Sequence, residues 1–183
     1  MRLPNLVYAT GFALILAVLS GCAPSGPAVP PEPTATFVAP YATDEEALAA
    51  AEEAYAEYLR AINVTLRTAV VDNALLESVA VGAELKDAIE VYSRLAAEGK
   101  HSTADITFEQ ASLQRYSRDG SPKELVTIYA CEDLSKAFLV DSSGNRVKED
   151  DVPPRMVQVS FDYSEAQEKL LLSDRQPWTQ SPC

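Results

Sequence analysis

The chain has 183 residues, with 15 Lys and Arg against 27 Asp and Glu and a net charge of −12. That balance argues against nucleic acid and anionic lipid surfaces as partners, because both repel an acidic protein. Hydrophobic residues supply 47% of the sequence, enough for a sizeable core, and the three cysteines are an odd number that calls for an explanation.

The first 21 residues, "MRLPNLVYATGFALILAVLSG", carry one basic residue, Arg2, and then an apolar run from Leu6 to Leu19. This is the n-region and h-region of an export signal. A membrane-spanning helix needs about 20 apolar residues, and this run is shorter and gives way to Ser-Gly-Cys and then prolines. Without twin arginines, the general secretory route is the expected one. The quartet Leu19, Ser20, Gly21 and Cys22 resembles a bacterial lipobox at all four positions. The resemblance implies a diacylglycerol thioether, with acyl chains such as palmitate, on Cys22, and cleavage that makes Cys22 the first mature residue. Two acyl chains anchor stably where one gives only marginal binding. The alternative is an ordinary signal peptide with a chance cysteine beside its cleavage site.

Setting Cys22 aside leaves a pair, Cys131 and Cys183. In an oxidising exterior such a pair is expected to form a disulfide, worth about 4 kcal/mol in the chain-entropy model, with two free thiols as the alternative. Residues 22–42 follow as a Pro-rich stalk holding six of the twelve prolines. At about 3.1 Å per residue it reaches up to roughly 60 Å, although Phe37, Val38 and Tyr41 are apolar enough to dock on the domain instead. Residues 43–183 are the right length for one domain.

Within that domain Thr43, followed by Asp44, Glu45 and Glu46, reads as a capping box. Leu48, Ala51, Tyr55, Tyr58, Leu59, Ile62 and Leu66 then recur at helical spacing, predicting a long amphipathic helix. A short helix is predicted near Ala74 to Val79. A third runs from Gly82 to Glu98, with Leu85, Ile89, Tyr92 and Leu95 on one face and Gly99 as its left-handed cap. From Ser102 the period becomes two. Ile106 and Phe108 lie in one phase and Ala111 and Leu113 in the other, predicting a bulge near Gln110. The run 117–122 reads as a hairpin turn. "ELVTIYACE" is apolar on both faces and so central in its sheet. A turn at 141–146 precedes "RMVQVSFDY", with Val157, Val159, Phe161 and Tyr163 on one side, and "KLLLSDRQPW" supplies the last strand. Helices followed by an antiparallel meander make an α+β fold, with N-terminal helices on a curved sheet of about four strands.

That order of elements resembles the NTF2-like (cystatin-like) superfamily over roughly residues 44 to 180. The stretches "AYAEYLRAINVTL" and "TIYACEDLS", with Trp178 and Cys183 at the end, are also similar to small lipid-anchored proteins of Gram-positive actinobacteria. The resemblance implies a cone of sheet and helices, in some relatives with a ligand cavity, and in some with dimerisation through the sheet. Enzymes of that superfamily move protons with a buried carboxylate or histidine and a tyrosine donor. Here the cavity candidates are Tyr55, Tyr58 and Tyr92, with an inward Asp or Glu from the sheet. All three tyrosines sit on apolar stripes, where an amphipathic ring at the edge of a core is the ordinary explanation.

The sequence lacks a Gly-rich phosphate loop, paired CxxC, HExxH and GxSxG. No catalytic residue, metal ligand or cofactor is assigned. The single histidine, His101, follows the capping glycine and reads as a solvated loop residue. The acidic run at 148–151, near Asp141, Ser143 and Asn145, lacks the spacing of a calcium loop. Asn63-Val64-Thr65 matches a glycosylation acceptor but falls inside the first helix. The expected protein is thus a lipoprotein on the extracytoplasmic face of the cell membrane, part of the cell envelope, binding a protein partner or small ligand without catalysis. A cavity-site enzyme and a passive envelope component are the alternatives. A desolvated carboxylate within reach of a tyrosine in a deep pocket would favour the enzyme.

Overall fold

The computed structural model describes residues 37–118, 121–147 and 153–183. The signal segment, Cys22, the first part of the stalk and the acidic run at 148–151 lie outside the described residues. Among those described, no helix is long and apolar enough to cross a membrane.

The first helix, α1 (Asp44–Thr68), starts where the sequence places it. The Thr43 hydroxyl accepts from the Glu46 amide at 3.1 Å, and the Glu46 carboxylate reaches back to the Ala42 amide at 2.8 Å. Together they satisfy two donors around the open end of the helix, and the acidic first turn faces the positive end of its dipole. Ala51, Tyr55, Tyr58, Leu59, Ile62 and Leu66 of the predicted stripe are buried, as are Ala47, Ala54 and Ala61. Asn63 is buried as well. Its side-chain amide donates to the Ile106 carbonyl and accepts from the Ile106 amide, both at 2.9 Å, so it ties α1 to the residue that leads into the strand beginning at Thr107 and is not exposed as an acceptor of sugar.

The short helix α2 (Asn73–Glu77) is capped by the Asp72 carboxylate, which accepts from the Leu75 amide. Then α3 (Gly82–Ala97) ends in a Schellman arrangement: Lys100 N–H donates to Leu95 C=O, and Gly99 N–H to Ala96 C=O, with Gly99 at φ 67°. Only a residue without a Cβ enters that conformation freely.

The strands are β1 (His101–Ser102), β2 (Thr107–Tyr116), β3 (Val126–Asp133), β4 (Leu139–Val140), β5 (Arg155–Ser164) and β6 (Lys169–Pro182). Four of them form an antiparallel sheet in the order β2-β3-β5-β6, and β1 pairs with β4 in a separate small sheet. The α+β class is as the sequence predicts, as is the inner position of β3, whose both faces are largely buried. His101 is partly buried in β1 rather than a solvated loop residue. The bulge forms where the phase slips, with the register shifting between Glu109 and Ser112 and Gln110 at φ 52°. Further shifts occur in β2 and along the β5–β6 ladder. Each bulge bends its strand and increases the local twist.

On the face of β3 turned toward the helices, Val126, Ile128 and Ala130 meet their opposite residues Phe161, Val159 and Val157. With Tyr55, Tyr58 and Ile62 from α1 and Leu172 from β6 they make the core. On the opposite face Tyr129 packs against Trp178, ring centroids 5.1 Å apart. Cys131, also on that face, is disulfide-bonded to Cys183, with their Cα atoms 5.7 Å apart. The bridge passes over β5 and fixes the end of β6 to β3.

The described chain begins before Thr43. Phe37 packs against Tyr163 at 6.1 Å, and Tyr41 against Tyr116 at 6.0 Å. The Tyr116 hydroxyl accepts from the Tyr41 amide and donates to the Tyr41 carbonyl. Val38 points away and is 81% exposed.

Candidate functional site

Glu132 follows Val126, Ile128 and Ala130 on the inward face of β3, so the alternation of the strand carries a carboxylate to the edge of the core. Its side chain is 0% exposed. An unpaired carboxylate there would cost several kcal/mol, and three other elements converge to prevent it. From β6, Arg175 donates Nε to Oε1 at 2.6 Å and Nη2 to Oε2 at 2.7 Å, a two-point fork. The Tyr55 hydroxyl on α1 also donates to Oε1. Arg155, directly opposite Glu132 in the β3–β5 ladder, approaches Oε2 with Nε and Nη2, each at 3.4 Å.

The electrostatics follow from burial and from this one negative charge. Burial pushes the Tyr55 hydroxyl well above its usual range and the Glu132 charge pushes it further, so it stays protonated and keeps donating. Burial alone would lower Arg175, but Glu132 more than reverses this, and the guanidinium is held above its usual range.

A second tyrosine–carboxyl pair lies alongside. The Tyr58 ring stacks on Tyr55, centroids 6.3 Å apart and planes within 8°, and its hydroxyl donates to Glu84 of α3. Burial raises the Glu84 carboxyl above its usual value, although the Tyr58 hydrogen bond and the nearby Arg175 both oppose the shift.

Beside this network is a cavity of about 230 Å³. Leu66 at the end of α1, Leu95 of α3, Ile106, Leu134 and Leu139 give it an apolar wall. Its polar wall is Tyr92 together with Arg155 and Arg175, the two cations that hold Glu132. The small β1–β4 sheet and its flanking segments close one side through Ser102, Phe138 and Arg146, whose guanidinium lies 3.6 Å from the centre of the Phe138 ring. Tyr92 is pushed up to about 12, chiefly by burial, so its hydroxyl is a donor at neutral pH.

Of the three cavity candidates in the sequence, Tyr92 therefore lines the cavity. Tyr55 and Tyr58 do not line it, and their hydroxyls are committed to Glu132 and Glu84. The inward carboxylate expected from the sheet is Glu132, placed behind the arginines and not in the cavity wall. Neither Arg155 nor Arg175 is picked out by the sequence pattern. The legible trace is phase: Glu132 falls in register with three apolar inward residues, and an inward charge requires a buried partner. Among the described residues, no group of three or more His, Cys, Asp or Glu is placed to hold a metal ion.

No protein-family model and no curated protein matches the chain. Among solved structures, it is similar to the intermembrane space region of the chloroplast protein ARC6, with 16% identity and a TM-score of 0.48 over 71% of this chain and 95% of that one. A likeness that distant carries no conclusion about what this chain does.

Proposed function

We propose that this chain is a lipoprotein held on the extracytoplasmic face of the membrane by a lipid on Cys22, and that its NTF2-like domain binds a small ligand in the cavity without transforming it. The anchor is supported by the lipobox at Leu19, Ser20, Gly21 and Cys22 and by the pairing of the two remaining cysteines. Of the two kinds of binding the sequence leaves open, a small ligand is favoured over a protein partner by a walled cavity with convergent polar groups.

The observation that carries the non-catalytic part is the state of Glu132. Both of its oxygens are engaged by Arg175, and Tyr55 and Arg155 add further contacts, so it has little capacity left to take a proton from a substrate. It also stands behind the wall rather than in it. The enzyme alternative is favoured by one specific feature, a desolvated carboxylate bonded to a tyrosine, the arrangement such enzymes use.

Two measurements test the proposal. Cys22→Ala should move the protein from the membrane fraction to the soluble one, and retention of the processed variant in membranes would refute the anchor. Native mass spectrometry of protein extracted from membranes should release a small bound molecule whose mass is unchanged after prolonged incubation. Conversion of that molecule would establish the enzyme, and a cavity that never yields one would favour a passive envelope component.

A further inference from the structure

We propose that the cavity is a site for a small carboxylate with a short apolar body, its head taken by Arg155. This rests on the small-ligand function above and narrows it to one chemical class.

Charge matching comes first. Glu132 supplies one negative charge, and the two short bonds from Arg175 already answer it. Arg155 is therefore a surplus cation. Its contacts to Glu132 are at 3.4 Å, beyond the 2.7–3.2 Å of a well-formed N–H···O bond, and among the described residues it has no other carboxylate in ion-pair range. At 36% exposure against 19% for Arg175, it is also the more accessible of the two. Its Nε and Nη2 are turned toward Glu132 at long range, and as a residue of the cavity wall it keeps the Nη1 side of its guanidinium for an occupant, an edge that a two-oxygen head matches.

The walls and the volume set the rest of the ligand. Leu66, Leu95, Ile106, Leu134 and Leu139 offer hydrocarbon surface for an apolar body. About 230 Å³ is room for roughly eight waters at about 30 Å³ each, and so for a molecule of about that many heavy atoms. Tyr92 adds a protonated hydroxyl within the same wall. An ammonium head would face the three arginines of the lining, Arg146, Arg155 and Arg175, whereas a neutral head would leave Arg155 as it is. A carboxylate gains a charge-assisted bond that neither of them makes.

Hexanoate, hexanol and hexylamine share a chain length and differ in head charge, so ligand-observed NMR titration of the full-length protein with each tests the assignment. Hexanoate should bind at least about tenfold more tightly than hexanol, with hexylamine weakest, as expected for a hydrogen bond to a charged group. In Arg155→Gln hexanoate should fall to the hexanol level, and Arg155→Lys, which keeps the charge and loses the fork, should lie between. Hexanol or hexylamine binding as tightly as hexanoate would overturn the carboxylate assignment and leave the small-ligand function standing. Failure of all three to bind would overturn both. Full hexanoate preference in folded Arg155→Gln would overturn the role of Arg155. The three-probe comparison on the wild-type protein needs no variant, so the head-charge preference is measured even if Arg155→Gln does not fold.

Discussion

Arg155 faces Glu132 directly across the β3–β5 ladder yet reaches its carboxylate only at 3.4 Å, while Arg175, arriving from β6, bonds both oxygens at 2.6 and 2.7 Å. The nearer strand thus makes the weaker contact. Removing Arg175 leaves the fully buried carboxylate with only Tyr55 and the two 3.4 Å contacts of Arg155, and Arg175→Met should destabilise the fold by about 3–5 kcal/mol. Arg155→Gln leaves the two-point fork in place and should cost about 1 kcal/mol or less. Urea unfolding of both variants checks the asymmetry, and equal losses would contradict it.

Glu84 makes stability depend on pH in the direction opposite to most carboxylates. Its folded pKa is raised, so above the usual value of 4.5 the native state keeps a proton that the unfolded chain releases. Its contribution is complete below that value and is lost as pH climbs through the raised one. Glu84→Gln should preserve the Tyr58 hydrogen bond and remove this decline. The difference between wild-type and variant stability curves should therefore shrink as pH falls toward 4.5. A difference that grows on acidification would refute the buried-carboxyl account.

The Cys131–Cys183 bridge closes a separation of 52 residues. Cys183→Ser should lower unfolding free energy by about 4 kcal/mol in the chain-entropy model. Intact mass should rise by the two hydrogens of the freed thiols on reduction. An unchanged mass would show that the bridge does not form.

The cap on α1 predicts a smaller effect. Thr43→Ala removes the hydroxyl that accepts from the Glu46 amide and should cost about 1 kcal/mol in thermal or denaturant unfolding.

Elements whose signals are local are legible in the amino-acid sequence itself. The α1 stripe, the Gly99 cap and the slip at Gln110 each depend on a few neighbouring residues, and they appear where periodicity puts them. The β1–β4 sheet is not legible, because a pairing of two-residue strands such as His101–Ser102 and Leu139–Val140 has no period to read. Nor is the arginine pair. Arg155 opens its strand and Arg175 sits between Asp174 and Gln176, where charge reads as surface. The register brings β3, β5 and β6 side by side and sets Arg155 opposite Glu132, and only the side-chain bonds bring Arg175 to the same carboxylate. Tyr55 and Tyr58 share one sequence signal yet bond different carboxyls, Glu132 and Glu84, since a hydroxyl's bond is a tertiary property.

Tyr116 grips the backbone of Tyr41 by both its amide and its carbonyl, and Phe37 rests on Tyr163. A pull arriving along the chain from the amino-terminal side therefore meets strands β2 and β5 before it meets Thr43. The sheet takes the load in place of the first turn of α1, so force applied to the amino-terminal side of Phe37 should peel the segment from Phe37 to Tyr41 away from its two aromatic clasps before it unwinds a helix.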